Sequence, residues 1–191
     1  QAKEKESPQA FALVMKWFVI ACAFIYLFIS TNLEDFALLI GPEYHDGLMV
    51  VPVLLLANLF LGIYYNLTVW FKLTDKTYFG TYISFGGAAI TIALNLLLIP
   101  VLGYMGSDIA TLICYAGMAL ATYLLGNVHY PIPYPVMTIL GYIVLATALV
   151  IAAFLVPIEN TWLRHVYHLS LSIVFLAVVW FRERAYFLSK K

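Results

Sequence analysis

Charge is scarce in this chain. Charged residues make up 10 % of its 191 residues, and the 10 Lys and Arg balance the 10 Asp and Glu, so the formal net charge is zero. Outside the ends of its apolar runs, no basic patch with interleaved aromatic side chains is present, so we predict that nucleic acid is not a partner. Asp, Glu and Arg are also missing from the interior of those runs. This absence argues against moving protons or metal ions, because proteins that do so usually hold a charged side chain inside the membrane.

Cysteine and catalytic motifs are equally sparse. The two cysteines, Cys22 and Cys114, lie in the middle of different apolar runs, so we expect free buried thiols rather than a disulfide. His165 and His168 are three residues apart, but only Glu159 stands near them as a further metal-ligating side chain, and we predict no metal. No Ser/His pairing, acidic pair or glycine-rich phosphate loop is visible, so we predict neither an enzyme nor a cofactor-binding protein.

Apolar residues, by contrast, are abundant. Hydrophobic residues make up 64 % of the chain, and its mean hydropathy is +0.94. They form six long runs, at residues 9–31, 48–71, 79–101, 106–126, 135–157 and 163–181. Each run has about the 17–25 residues that an α-helix needs to cross a bilayer. The sequence therefore predicts an all-α, polytopic membrane protein with six transmembrane helices embedded in a lipid bilayer.

The basic residues indicate the orientation of these helices. Most of them flank alternate ends of the runs: Lys3, Lys5, Lys72, Lys76, Arg182, Arg184, Lys190 and Lys191. The opposite loops are acidic, and Arg164 is the one basic residue among them. Because basic loops stay on the cytoplasmic side, we predict that both termini and the 72–76 loop are cytoplasmic. The 127–136 loop carries no Lys or Arg, and its cytoplasmic assignment follows from alternation alone.

Prolines and glycines mark the breaks between the runs. Pro100 and Gly103 are predicted to end the third helix, and Gly106 to open the fourth. The stretch 129–135 is an extended connector, because residues before proline avoid the helical conformation. It divides the chain into a predicted domain at 1–130, with four helices, and a final helix pair with a basic tail at 131–191. The amphipathic stretch 33–40 is too short to span, and is predicted to lie at the outer interface or to form a short closing helix.

Few polar side chains lie inside the predicted helices. Asn58 and Asn66 are eight residues apart, so they share one face of the second helix with Gly62. This stripe fits either a packing seam between helices or the wall of a hydrated cavity. Lys16 lies about two turns into the first helix, where it either reaches back to the headgroups or faces a cavity and attracts a phosphate. The residues alone do not separate these alternatives.

A signature links the third and fourth helices to a known family. Residues 95–111 read NLLLIPVLGYMGSDIAT. They resemble the pattern N-x-x-L-I-P-x-x-G-x-x-G-[AS]-x-x-A-T of bacterial polysaccharide and lipid-linked oligosaccharide flippases, in the multidrug/oligosaccharidyl-lipid/polysaccharide exporter superfamily. The matching residues, for which we expect structural roles, are Asn95, Pro100, Gly103, Gly106, Ala110 and Thr111. Asp108 departs from the pattern, because the family has a small or apolar residue there.

Two further observations concern the same residues. Asn95 is expected to hydrogen-bond across the helices, while Ala110 and Thr111 keep the packing face of the fourth helix small. Residues 54–67, 70–77 and 130–134 are also similar to segments of this family, so the resemblance covers roughly residues 8–135.

The resemblance implies a fold and a function. Flippases of this family have two six-helix lobes around a central cavity and an optional extra helix pair. This chain would be most of the second lobe plus that pair, with the N-terminal lobe as its partner. The substrate would be an undecaprenyl-pyrophosphate-linked oligosaccharide, a precursor of surface polysaccharide such as lipopolysaccharide O-antigen. It would cross the bacterial inner membrane by alternating access.

The same resemblance suggests roles for individual residues. Candidate cavity residues are Lys16 for the pyrophosphate and Asn58, Tyr64, Tyr65 and Asn66 for the sugar. Polysaccharide polymerase machinery is a further expected partner.

Two alternatives stay open. A multidrug or ion antiporter of the same superfamily predicts an acidic residue inside a span. A stand-alone six-helix membrane subunit, or an integral membrane enzyme, predicts a start codon at or near Gln1. The flippase interpretation predicts instead a longer chain, interrupted just before the first helix of this one.

Overall fold

Helices account for all regular secondary structure in residues 8–38 and 47–188, the parts of the chain that this computed structural model describes. In chain order they are α1 (Pro8–Thr31), α2 (Leu33–Ala37), α3 (Val51–Leu67), α4 (Val69–Leu73), α5 (Tyr78–Leu102), α6 (Tyr104–His129), α7 (Val136–Leu155) and α8 (Thr161–Leu188). The stretch 33–40 was predicted to form a short helix or to lie at the interface. Its described part contains the short helix α2, and residues 39 and 40 lie outside the described residues.

Six helical segments among the described residues are long and apolar enough to cross a membrane. They are Pro8–Thr31, Gly47–Leu73, Tyr78–Leu102, Tyr104–His129, Val136–Leu155 and Thr161–Arg184. Each overlaps one predicted run, so the prediction of an all-α, polytopic membrane protein is confirmed. The apolar residues that remain exposed on these helices are those that a bilayer covers.

The described residues form two compact units. Unit 1 contains those up to Trp17 together with Met49–Pro135, and unit 2 contains the described parts of Phe18–Leu48 and Val136–Lys191. One division therefore falls at Pro135, inside the predicted connector. The later part of α1 and all of α2 belong with the last two helices, whereas the sequence prediction grouped them with the first four.

Unit 1 is built on an antiparallel hairpin of α5 and α6, with α3 packed along α6. Gly103 alone separates α5 from α6, and its φ of 59° with ψ of −142° is a conformation that only glycine adopts easily. Pro100 lies inside the last turn of α5, so the prediction that it stops the helix is wrong. A proline distorts the turn that precedes it, but it leaves the residues after it free to stay helical, and α5 ends at Leu102.

Unit 2 has its own apolar core. Phe175 of α8 is fully buried, with ring centroids 6.4 Å from Phe24 of α1 and 6.3 Å from Tyr142 of α7. On α2, Leu33 and Ala37 are buried while Glu34 and Asp35 face outward. Three aromatic rings, one from each of α1, α7 and α8, therefore pack together in this unit. On α2, the four-residue spacing of Leu33 and Ala37 places both side chains on the buried face of the helix.

The connector between α6 and α7 contains no helix from Tyr130 to Pro135, as predicted. Ile132 is buried, and the Tyr134 amide donates to the Ile132 carbonyl at 2.8 Å. Burial raises the pKa of the Tyr134 phenol to about 12, so this hydroxyl stays neutral throughout the physiological pH range. The connector is thus anchored by two side chains rather than fully solvated.

Candidate functional site

An open groove runs along unit 1 where α3 faces α5 and α6. It consists of two adjoining cavities, of about 630 and 470 Å³, which share Tyr64, Tyr65, Ser84 and Ala88. The first cavity continues past Phe71 to Thr77, and the second reaches Tyr115 near the middle of α6. We call the combined feature the hydroxyl groove, after the side chains that line it: Tyr64, Tyr65, Thr68, Thr77, Thr81, Ser84, Thr91 and Tyr115. No charged side chain lines either cavity.

Small residues on α5 create the depth of the groove. Gly80, Ser84 and Ala88 are spaced four apart, so they lie on one face of the helix. A Cβ atom at Gly80 would come within 3.3 Å of the Phe71 ring, which shows how closely the aromatic wall approaches α5. This four-residue repeat of small side chains was available in the sequence, although we did not use it to predict the groove.

The two tyrosines at the centre of the groove differ in exposure. Tyr64 is 6 % exposed, and its hydroxyl lies 3.4 Å from the Ser84 hydroxyl. Tyr65 is 64 % exposed, and its ring centroid lies 5.5 Å from that of Tyr64. Tyr64 therefore joins α3 to α5, whereas Tyr65 presents an aromatic face and a hydroxyl to whatever enters.

Two of the four threonines in the groove, Thr68 and Thr91, offer mainly acceptor oxygens. The Thr68 hydroxyl donates to the Tyr65 carbonyl at 2.7 Å, and that of Thr91 donates to the Gly87 carbonyl at 2.9 Å. A hydroxyl that donates its proton to its own helix keeps lone pairs for an incoming donor. Together with the aromatic rings, these oxygens suit an uncharged ligand rich in hydroxyl groups, and they offer no counter-ion to a charged one.

The structure brings two of the five predicted cavity residues together in the groove, Tyr64 and Tyr65. The Asn58 amide donates to the Leu54 carbonyl at 2.8 Å, and the Asn66 amide donates to the Gly62 carbonyl at 2.9 Å, each within its own helix. Neither asparagine lines the hydroxyl groove.

Lys16 does not line the groove either. It is half-buried on α1, and its ammonium lies 5.4 Å from the centroid of the Trp17 ring. That distance is within the range of a cation–π contact.

The signature residues lie around the tip of the α5–α6 hairpin. A Cβ atom at Gly106 would lie 2.6 Å from the carbonyl carbon and oxygen of Leu98, so the two backbones touch at this point. Ala110 is fully buried, and the Thr111 hydroxyl donates to the Ser107 carbonyl at 2.9 Å. Gly106 and Ala110 thus lie in tightly packed positions, and the Thr111 hydroxyl is satisfied within α6.

Asn95 is the exception among them. Its side-chain oxygen is buried and accepts no hydrogen bond from the described residues, so it does not form the predicted bond across the helices. A hydrogen bond to the Asn95 oxygen needs a donor on α6, and the small side chains that bring α6 close to α5 offer few.

One buried carboxyl was missed by the sequence reasoning. Glu183 is 6 % exposed, and its carboxylate accepts a hydrogen bond of 3.0 Å from the Tyr142 hydroxyl. Arg182 and Arg184 on either side of it entered the prediction of orientation, but Glu183 was assigned no role. The missed signal is spacing: Glu183 follows Phe175 and Val179 at four-residue intervals, on the buried face of α8.

We predict that Tyr142→Phe destabilises unit 2 by roughly 2 kcal/mol, because it removes a hydrogen-bond donor from a buried carboxylate. Unfolding in detergent micelles, followed by circular dichroism, measures this change. Tyr82→Phe is the matched control, since Tyr82 is 71 % exposed, and it should shift stability by less than about 0.5 kcal/mol. Equal stability of the Tyr142→Phe variant and the unmodified chain would contradict the prediction.

Comparison with known proteins supplies no relative. No protein-family model, no curated protein and no solved structure matches this chain. Its function is therefore inferred from the hydroxyl groove and from the signature in its sequence.

Proposed function

We propose that this chain forms part of a flippase that moves an undecaprenyl-pyrophosphate-linked oligosaccharide across the bacterial inner membrane. In this proposal the hydroxyl groove is part of the path that the sugar follows. The observation that carries it is the lining of the groove, which combines hydroxyl oxygens with exposed aromatic faces and contains no charge. The signature at residues 95–111 supports the same function.

The chemistry of a sugar explains why such a lining is suitable. Sugar hydroxyls exchange hydrogen bonds with protein hydroxyls, and the apolar C–H faces of the ring pack against aromatic side chains such as Tyr65. These contacts are individually modest, so a sugar can move from one to the next along the groove. A deep charged site would instead hold a ligand of one charge in one place.

The predicted orientation gives the groove a direction. The Thr77 end of the groove adjoins the loop that carries Lys72 and Lys76, which we predict to be cytoplasmic. A substrate made in the cytoplasm would therefore enter at the Thr77 end and leave toward Tyr115. The pyrophosphate requires cations that the groove lacks, and we assign this role to Lys16 and to the N-terminal lobe.

An exposed amide supports a further protein surface against unit 1. Asn58 is exposed on a membrane-spanning segment and satisfies its amide nitrogen on its own helix. A polar side chain that faces hydrocarbon is costly, so the proposal places the N-terminal lobe against this side of α3.

In the full-length gene, Tyr65→Ala is expected to reduce surface polysaccharide about tenfold, because the exposed ring supplies contact energy to the moving sugar. The assay is complementation of a bacterial strain that lacks its own flippase, with membrane abundance of each variant measured by immunoblot. Tyr65→Phe keeps the ring and should retain most of the activity. Tyr82→Ala removes an exposed tyrosine of α5 that does not line the groove, and is the matched control. A normal amount of surface polysaccharide from the Tyr65→Ala variant, at the same membrane abundance as the unmodified protein, would contradict the proposal.

A second candidate is a multidrug or ion antiporter of the same superfamily. Glu183 favours it, because it is a buried carboxylate in a membrane-spanning segment, where such antiporters need one. Efflux of a cationic dye by the full-length protein, without any restoration of polysaccharide, is the result that would favour this candidate over the flippase.

A further inference from the structure

A second cavity lies at one end of unit 2, where α1 and α7 end and α8 begins. Its volume is about 280 Å³, and its lining includes Ser30, Glu34, Glu159, Arg164 and His168. We call it the Ser30 cavity. It shares no lining residue with the hydroxyl groove and plays no part in the proposed sugar path.

Two polar contacts fix α2 beside this cavity. Arg164 pairs with Glu34 at 2.6 Å, and the ring nitrogen Nε2 of His165 lies 3.0 Å from a carboxylate oxygen of Asp35. Both contacts join α2 to the first turns of α8. The cavity therefore has a defined wall on this side, built by side chains that already have partners.

Ser30 is the residue that points to a ligand. It is 1 % exposed, yet its hydroxyl has no hydrogen-bond partner among the described residues. Its neighbour Thr31 behaves as a helical hydroxyl usually does, and donates to the Leu27 carbonyl at 2.9 Å. A buried hydroxyl that makes no bond is unfavourable, and Ser30 is one of the residues that line a cavity large enough to hold a partner.

The charges around the cavity favour a cation. The Arg164 guanidinium is taken up by Glu34, whereas Glu159 makes no ion pair with any residue that the structure describes. The last turns of α1 and α7 both line the cavity, and the C-terminal end of a helix carries partial negative charge. Two helix starts, those of α8 and of the short α2, also line the cavity, so the helix ends balance and the carboxylate of Glu159, unpaired among the described residues, is what favours a cation.

The volume of the cavity and its acceptor groups indicate which class of cation fits it. A water molecule occupies about 30 Å³, so the cavity is far larger than a bare metal ion requires. No cluster of three or more metal-ligating side chains occurs in the described ranges. A primary ammonium carries three N–H donors, which matches an acceptor hydroxyl and a carboxylate. A quaternary ammonium has no N–H to offer them.

We propose that the Ser30 cavity binds a primary ammonium group, with Glu159 as its counter-ion and the Ser30 hydroxyl as a hydrogen-bond acceptor. The group can belong to a small soluble amine or to the headgroup of an aminophospholipid. The cavity adjoins the start of a membrane-spanning segment, next to Trp162, which is 76 % exposed. Exposed tryptophan at such a position is typical of the headgroup region, so both sources reach the site.

The experiment uses the purified chain in nanodiscs of phosphatidylcholine. Titration calorimetry with ethanolamine tests the soluble source, with choline as the quaternary control. Native mass spectrometry of nanodiscs with equal phosphatidylethanolamine and phosphatidylcholine tests the lipid source. We expect the primary ammonium to be preferred over its quaternary counterpart in at least one of the two assays. Glu159→Gln should weaken the preferred ligand about tenfold.

Two further variants serve as a second test of the site and as a charge control. Ser30→Ala should fold normally, because the hydroxyl makes no bond to the described protein, and should also weaken the ligand. Asp75→Asn removes the same charge in unit 1, at a residue with φ of 55° that asparagine tolerates, and should change nothing.

Each outcome decides the proposal. Ethanolamine binding that is lost in Glu159→Gln supports it with a soluble ligand. A phosphatidylethanolamine preference that is lost in the same variant supports it with a lipid ligand. Absence of both preferences in the unmodified chain overturns it, and so does binding that neither Glu159→Gln nor Ser30→Ala changes.

Discussion

Replacing Gly106 by alanine is expected to destabilise unit 1 by about 3 kcal/mol, at the upper end of the usual cost of overpacking. The new Cβ atom would lie 2.6 Å from the carbonyl carbon and oxygen of Leu98 and 3.0 Å from the Ile99 nitrogen. These are backbone atoms of a helix, so they cannot move aside as the end of a flexible side chain can. The α5–α6 hairpin has to separate near its tip to admit one methyl group. Unfolding of the purified chain by SDS in mixed micelles measures the loss.

Gly86→Ala is the matched control for this prediction. Gly86 lies on α5 of the same hairpin, and a Cβ atom there would meet nothing within 4 Å. Alanine is a better helix former than glycine by about 1 kcal/mol, so this variant should be as stable as the unmodified chain or slightly more so. If the two alanine variants lost equal stability, the close approach of α6 to α5 at Leu98 would be refuted.

Trp70→Ala is expected to cost about 4 kcal/mol, which is typical of deleting a buried tryptophan. Trp70 is 2 % exposed, and its indole N–H donates to the Thr122 carbonyl at 3.3 Å. Its ring stacks on His129, with centroids 5.4 Å apart and planes 12° from parallel. The Trp70 side chain thus joins α4 to the C-terminal part of α6, and its loss leaves a cavity between them.

Two variants separate the contributions of Trp70. Trp70→Phe keeps an aromatic ring but removes the N–H, and should lose only part of the stability. Trp162→Ala removes a tryptophan that is 76 % exposed and should change the unfolding free energy by less than about 0.5 kcal/mol. The same SDS titration reports all three variants. A Trp70→Ala chain as stable as the Trp162→Ala chain would show that Trp70 is not a core residue.

The membrane-spanning helices could be predicted because their signal is long and repetitive. The prediction rests on the mean hydropathy of about 20 residues, so a single polar residue such as Asn58 does not hide a membrane-spanning helix. Helix ends depend on one or two residues, and Pro100 shows the difference. A proline lowers helix stability in the turn before it, but only the structure shows that the helix continues past Pro100 to Leu102.

The groove could be predicted only in part. Tyr64 and Tyr65 were identified together, yet one is 6 % and the other 64 % exposed, a difference set by which helix packs against α3. Asn58 and Asn66 share a helix face as predicted, but an asparagine can satisfy its amide on the carbonyl of its own previous turn. Spacing alone therefore cannot distinguish an amide that lines a cavity from one that hydrogen-bonds within its own helix.

Glu183 shows a different limit. Charged residues at the end of a hydrophobic run are normally predicted to be solvent-exposed, because charged residues are rarely buried without partners. The partner of Glu183 is the hydroxyl of Tyr142, 41 residues away in the chain, and no local pattern reveals that contact. The four-residue spacing from Phe175 and Val179 was the available clue.

The single-residue joint at Gly103 has a consequence for how this protein enters the membrane. With α5 ending at Leu102 and α6 beginning at Tyr104, one glycine is all the non-helical chain between them. Insertion of the two helices as a pair therefore has no hydrophilic loop to translocate, and one peptide turn is all that reaches the far side. The charged residue nearest this joint is Asp108, in the second turn of α6. We therefore expect α5 and α6 to insert together as a hairpin, so that α5 reaches its final topology only once α6 has been synthesised.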